Sequence, residues 1–359
     1  MSTKIERAVG LYNEASLAEE QSNIDRAEVL YMESKEFFMQ EGGAHFVDAA
    51  NIMNTIGFMK EKYGDYDGAL HAARESTEIM KTRFEGGTSR DAETIRLQAW
   101  GIIGNIYRHM ARYQEAEKIL HCTLEYATEK LGDEDEETSN ARNQLGILYK
   151  YIGEFEKAEK LYRDALKILV EKHGEMNSSV AVLYHNLGGL FHARGDFAAG
   201  EPCARKAWEI NRQLLGEDDP ITLADAAAYA GVLDGLERYD ESEPIYEHAL
   251  EVFEKIYGAE HYEIVVNLNN LANVRYARGD VKEAEELFRR ALAVKEKILG
   301  MEHPDTALTT NNLGVLIQAI GRKDEAEELF KCALKVFESQ LGSEHPKTQM
   351  ARENLEAIK

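Results

Sequence analysis

Residues 134–174, EDEETSNARNQLGILYKYIGEFEKAEKLYRDALKILVEKHG, carry two apolar stripes at helical spacing with a glycine between them. Leu145, Leu148 and Tyr149 make the first stripe, and Gly153 breaks it. Phe155, Ala158, Leu161, Tyr162, Ala165 and Leu169 follow three and four residues apart, which places them on one face of a helix that ends near His173 and Gly174. The stretch is a helical hairpin.

The hairpin repeats. Gly132, Gly174, Gly216, Gly258, Gly300 and Gly342 are each 42 residues apart, and a period of that length belongs to a solenoid of stacked supersecondary units. Aligning the small residue of the second helix gives Ala27, Ala69, Ala116, Ala158, Gly200, Ser242, Ala284 and Ala326, which makes eight units. Only the step from Ala69 to Ala116 is longer, 47 residues, so an insertion lies in a loop at about 84–92, where Gly86 and Gly87 supply flexibility. Residues 1–344 read as the array. Residues 345–359 begin a first helix with no second one to follow, and Lys347, Arg352, Glu353 and Glu356 give it the polar outer face of a capping helix.

A repeat array grows along one axis, so 359 residues need not divide into compact domains. The 44% hydrophobic and 30% charged content fits a folded chain. Its formal net charge is -23, from 65 acidic and 42 basic residues, a field that repels nucleic acid and anionic membrane surfaces. Much of that charge lies in runs such as Glu134 to Glu137, which read as solvated faces and helix starts. Cys122, Cys203 and Cys332 are too far apart for a disulfide framework or a zinc motif, which points to a reducing compartment. No apolar run approaches the roughly 18 residues of a membrane span, and Met1 to Asn13 has no continuous apolar core of a leader, so the expected location is the cytoplasm.

Leu145-Gly146, Tyr149, Gly153, Ala158, Tyr162 and Ala165 together resemble the tetratricopeptide repeat. The 42-residue period, with Asn-Asn-Leu-Ala at 269–272, Asn-Asn-Leu-Gly at 311–314, Ala-Glu-Glu-Leu-Phe at 284–288 and Leu-Gly-Met-Glu-His-Pro at 299–304, is similar to the kinesin-light-chain type of that repeat. No heptad segment precedes the repeats, so a true motor subunit is not expected. The resemblance implies an all-α, right-handed superhelical α-solenoid of eight helix-turn-helix repeats with a C-terminal capping helix. It also implies tolerance of Pro202 and Pro244, one turn inside their second helices, as softened first turns.

The resemblance further implies a groove lined by the first helices, with ligand-facing places at fixed positions of each unit. These are Asn51, Asn54 and Glu61; then Gln98, Asn105, Arg108 and His109; then Asn140, Asn143, Gln144, Lys150 and Tyr151. Further along come His185, Asn186 and His192, then Asn269, Asn270, Asn273 and Tyr276, then Asn311, Asn312 and Gln318. Amide side chains donate and accept at once, which suits the main chain of an extended peptide; the same asparagines also suit bonds between neighbouring helices that hold the stack. In the sixth unit Ala224, Ala227, Ala228, Gly231 and Gly235 leave almost no side chain above the helix, with Asp234 at one end. The expected result is a hollow for an anchor side chain, or a place where helices crowd together.

His261, His303 and His345 repeat at 42 residues but stand a whole hairpin apart, about 20 Å for two helices of about 10 Å each, too far to share a metal. They read as loop and cap residues. His192 with Asp234 is a candidate base and orienting carboxylate, with His185 on the same helix face. No His-Glu-x-x-His, phosphate-cradling glycine loop, Gly-x-Ser-x-Gly or paired cysteine motif completes an enzyme. The expected function is a non-catalytic scaffold or adaptor with neither cofactor nor metal, which binds a protein or an extended peptide. Its acidic excess favours basic segments as partners. A peptide or small-molecule sensor and an enzyme sited around His185, His192 and Asp234 are the alternatives.

Overall fold

A computed structural model describes residues 3–21, 23–82 and 89–358. Among them every regular element is helical, seventeen helices in all, and the chain is an all-α repeat solenoid. The insertion with Gly86 and Gly87 lies outside the described residues, apart from its end, where Ser89 caps the next helix through Ala92 N–H.

Contacts divide the chain into two compact units, 1–154 and 155–359. The first holds α1 (Thr3–Glu20), α2 (Ile24–Glu41), α3 (His45–Lys62), α4 (Tyr66–Thr82), α5 (Arg90–His109), α6 (Tyr113–Leu131) and α7 (Glu136–Tyr151). The second holds α8 (Phe155–His173), α9 (Ser178–Arg194), α10 (Phe197–Leu215), α11 (Pro220–Gly235), α12 (Tyr239–Tyr257), α13 (Tyr262–Ala277), α14 (Val281–Leu299), α15 (Pro304–Ala319), α16 (Lys323–Leu341) and α17 (Pro346–Glu356). Odd-numbered helices up to α15 are the first of each repeat and even-numbered helices the second.

The two sequence registers have physical causes. The glycines at 42-residue steps all carry positive φ, 79° to 99°, and end the second helices where an L-residue with a Cβ would be strained. The small residue of the second helix is buried in every repeat, and at Gly200 a Cβ would come within 3.3 Å of the first helix's backbone at Gly188. A Cβ on Gly104 would strike Leu120, and one on Gly188 would come within 3.1 Å of the backbone of Ala204. His261, His303 and His345 are N-caps, each accepting a backbone N–H at Nδ1. Pro202 and Pro244 sit within continuous helices.

Ion pairs line one seam of the second unit. Glu159, Glu201, Glu243 and Glu285 stand 42 residues apart, and each meets an arginine of the next repeat: Arg194, Arg238, Arg278 and Arg322. The last helix, α17, is held by Ala351 in an apolar cluster with Ala307 and Phe337, and by Lys347 near Asp305 Oδ1 (3.6 Å). Buried Lys295 donates to the Asp305 carbonyl at 3.0 Å, and Tyr262 donates to Asp305 Oδ2 at 3.3 Å. Burial pushes the Asp305 carboxyl up, but Lys347 and Lys295 together hold it below the usual carboxylate range.

Candidate functional site

In the first unit α5 and α7 touch directly, although α6 lies between them in sequence. The close approach begins at Gly101, where a Cβ would lie 2.2 Å from Oε1 of Gln144. Without it, the Gln144 amide folds over α5, and a pocket of about 230 Å³ opens beside it. Phe58, Leu97, Thr123 and Ala141 give this pocket an apolar part, and Gln98, Glu137, Asn140, Asn143 and Gln144 a polar one. Gln144 Oε1 is buried and accepts no hydrogen bond, while Asn140 donates to Glu137 Oε2 at 3.3 Å. Four expected groove residues from two repeats thus share one wall.

Ten residues further along α5, about 15 Å at 1.5 Å per residue, the same face turns cationic. Arg108 lies over the Tyr151 ring at 5.3 Å and donates from Nη2 to His109 Nε2 at 2.9 Å. Its Nε is buried without a partner, as is Asn105 Oδ1 one turn earlier. His109 stacks on Tyr66 and stands 3.3 Å from Glu61. Lys150 is half-buried; burial first, and then Arg108, push its amine below the usual lysine range.

The expected amide surface is not uniform. Asn54 is 1% exposed and donates to the Ile95 carbonyl at 2.9 Å, so it ties α3 to α5 rather than facing a ligand. Asn186 is also buried, and Asn311 accepts from Asn354 of α17. Asn51 and Asn273 are exposed, and Asn269, Asn270 and Asn312 half-buried. The helix-to-helix role foreseen for such asparagines therefore holds at some places of the register and not at others.

In the second unit the sixth repeat departs from the expected hollow in two ways. Ala227 is a core residue, clustered with Tyr246 and Leu271, and the space over Gly235 is filled by the Phe197 ring, 2.2 Å from where a Cβ would stand. Open space remains above Gly231, where only Tyr246 Oη comes within 4 Å of such an atom. It is flanked by half-buried Ala228 and exposed Ala224. Asp234 accepts from Tyr246 Oη at 2.8 Å through Oδ2, while Oδ1 is buried without a partner. Burial raises its carboxyl above the usual range, against the pull of Ser242, of Tyr246 and of the His192 charge.

His192 and Asp234 do not form the expected dyad, because Tyr246 takes the carboxylate and His192 packs edge-on against Phe197. Of the two candidate histidines it is His185 that meets a carboxylate, with its Nδ1 2.7 Å from Asp225 Oδ1. Asp225 is 5% exposed, and its Oδ2 accepts from Asn211 at 2.7 Å. Asn211 occupies the register position that Leu169, Phe253 and Phe337 fill with hydrocarbon. That substitution was readable in the repeat alignment and marks the network from sequence alone.

A row of apolar residues also escaped a search for polar groups. Val182, Ala224, Val266 and Leu308 occupy the place that Asn51, Gln98 and Asn140 hold in the first unit. Val182 and Val266 are 46% and 44% exposed, on the side of the helices where the groove residues stand.

A stack of two-helix repeats with a pocket and a charged corner on its first helices defines an all-α scaffold of the repeat class. The model of the tetratricopeptide repeat matches residues 96–169, 179–255, 222–297 and 263–339, and the chain belongs to that family. Its repeats from Gly132 onward are 42 residues long. No curated protein matches the sequence. Among solved structures, a Rap protein complexed with Competence and Sporulation Factor is similar over 98% of both chains, with 14% identity and a TM-score of 0.59. A tetratricopeptide repeat protein from Parabacteroides merdae is similar over 86% of this chain and 98% of its own, with 17% identity and a TM-score of 0.52. BtubC (BKLC) from P. vanneervenii is similar over 67% of this chain and 93% of its own, with 23% identity and a TM-score of 0.49. These likenesses concern the fold. The repeat family is one of protein-interaction scaffolds, and no helix among the described residues is long and apolar enough to cross a membrane.

Proposed function

We propose that the protein is a non-catalytic adaptor that binds an extended segment of a partner protein across its first helices. The pocket between α5 and α7 carries this reading: amides from two repeats converge over an apolar base, and Gln144 Oε1 has no partner among the described residues. An amide-lined, partly apolar depression of this kind can hold a peptide main chain through donors and acceptors while one side chain enters it. The Rap protein bound to its factor is a protein of similar fold that holds a ligand, and it supports the reading by analogy of fold alone.

Site-specific photocross-linking tests it. A benzoylphenylalanine at Asn140 should cross-link a partner from native extract, while one at Glu129, exposed on a second helix, should not. Cross-links from position 129 alone would move the binding surface elsewhere. A partner that cross-links at 140 should also lose affinity for the Gln98→Ala, Asn140→Ala double variant.

A further inference from the structure

Within the second unit every second helix ends, and the next first helix begins, at one edge of the stack. From two residues before each repeat glycine to five after it, that edge comprises 172–179, 214–221, 256–263 and 298–305. These four stretches hold six exposed large apolar side chains, Met176, Leu214, Leu215, Ile221, Ile256 and Met301, which are 42% to 63% exposed. The corresponding stretches 41–48, 130–137 and 340–347 hold none. A packing demand of the repeat would recur at one register, and these side chains do not. Leu214 and Ile256 stand two residues before their glycine, Met301 one after, Met176 two after and Ile221 five after.

Beneath the edge runs one apolar cluster: Leu223, Phe253, Ile264 and Val294 belong to it, and Tyr257 and Ile298 pack against it. Ile221, Ile256 and Met301 each lie within three residues of one of these, so they stand on the rim of a continuous core. The charge around them is one-sided. The four stretches carry eight acidic residues and one base, Lys172. Glu175, Asp218 and Glu260 meet Lys206, His248 and Lys297 of the second helices, in surface pairs that are worth little. Glu217, between Leu215 and Ile221, and Glu302, beside Met301, are exposed and meet no base among the described residues.

We propose that this edge is a second docking surface, which takes a basic amphipathic helix of a partner protein. Charge decides among the occupants. A second copy of this chain would bring acid against acid, and an anionic membrane surface would be repelled. A helix with an apolar face and lysine or arginine on its flanks gains from both parts of the edge, the hydrocarbon and the carboxylates beside it. A helix also needs only side chains from its dock, and this edge offers side chains rather than the free backbone that an added strand would need. From the end of α10 to the end of α14 is two hairpins, about 40 Å, the length of a helix of about 26 residues. The edge shares no residue with the α5/α7 pocket, so it stands or falls apart from the adaptor reading there.

The test uses the full chain and a fluorescent peptide of four heptads, each Leu-Lys-Gln-Leu-Leu-Lys-Gln. Anisotropy should show it bound at least tenfold more tightly than the same peptide with Glu in place of Lys, and than one shuffled so that no apolar face forms. The combined variant Ile221→Ser, Ile256→Ser, Met301→Ser keeps every charge and should lose at least tenfold in affinity. Val29→Ser, exposed in the first unit, should bind as wild type. Circular dichroism establishes that each variant is folded. On binding, hydrogen exchange should slow at 214–221 and 256–263. Undiminished binding by the combined variant would make the attraction one of net charge alone and overturn the proposal, as would equal binding of the shuffled peptide or protection confined to other stretches. A dimer of the free chain that the combined variant abolishes would make the occupant a second copy. Binding to phosphatidylcholine–phosphatidylserine vesicles that the same variant abolishes would make it a membrane, and either result overturns the proposal.

Discussion

In the first unit, one row of first-helix positions reads Asn51, Gln98, Asn140, and the face it begins ends in Arg108 and Lys150. In the second unit the same row reads Val182, Ala224, Val266, Leu308, and the residues that follow include His185 over a buried Asp225 and the open space at Gly231. The backbone register is common to both. What differs is the chemistry mounted on it, polar and cationic in one unit, apolar beside the buried His185–Asp225–Asn211 network in the other. A repeat thus fixes where a side chain stands and leaves free what it does, and the two units are best treated as two surfaces with separate tests.

The largest effects should come from the small residues of the second unit, where closed and open sites look alike in sequence. Gly188→Leu drives a side chain into the backbone of Ala204 and should cost about 3 kcal/mol or more, seen in calorimetry as a lower melting temperature. Gly231→Leu enters open space and should stay within about 1 kcal/mol of wild type. If both melt alike, the distinction between a crowded and an open position is wrong.

Next in size is the buried Asp225 network of the second unit. Asn211→Leu leaves Asp225 Oδ2 without its donor and should cost about 1–3 kcal/mol in urea unfolding. Adding Asp225→Ala removes the stranded carboxylate and should restore most of that loss, since Ala141 and Ala351 hold the same register. A double variant no better than the single one would show that the network's polarity is not the source of the cost.

A smaller effect concerns acid. Asp305 is held below the usual carboxylate range in the folded state, so the stability it contributes is present above its unfolded value and is lost as pH falls through the folded one. Asp305→Asn should flatten the acid limb of the stability curve below about pH 4 and loosen α17, read by hydrogen exchange at Thr348 and Ala351. The smallest change in stability is expected in the first unit. Gly101→Ala displaces the flexible Gln144 amide and gains helix propensity, so stability should hold or rise by up to about 1 kcal/mol while cross-linking from position 140 falls.

The fold was legible because its signals are periodic. Six glycines with positive φ and eight buried small residues recur at 42 residues, save one step of 47 between Ala69 and Ala116, and each has a steric cause that repeats with it. The site was legible only in part. Position in the repeat identified Gln98, Asn140, Asn143 and Gln144, which share a pocket, but it could not separate Asn143 from Asn54, which holds the same place and faces inward to the Ile95 carbonyl. What each asparagine meets on the neighbouring helix decides that, and one register does not encode it. His192 and Asp234 were paired by proximity in the alignment, whereas the carboxylate's partner came from Tyr246 on the second helix of its own repeat. The apolar row was missed for a different reason: exposed valines carry no chemistry by themselves and acquire meaning only once their neighbours in register are known to be polar elsewhere.

The glutamates at 159, 201, 243 and 285 hold one place in their repeats, but the arginines that answer them do not, since Arg194 and Arg278 stand two residues earlier in their repeats than Arg238 and Arg322. Either placement serves the same glutamate. In evolutionary terms the seam is a coupling that accepts two kinds of neighbour, so the loss or duplication of one 42-residue hairpin leaves every glutamate opposite an arginine. Chain length can drift in whole hairpins without a compensating mutation at the joint.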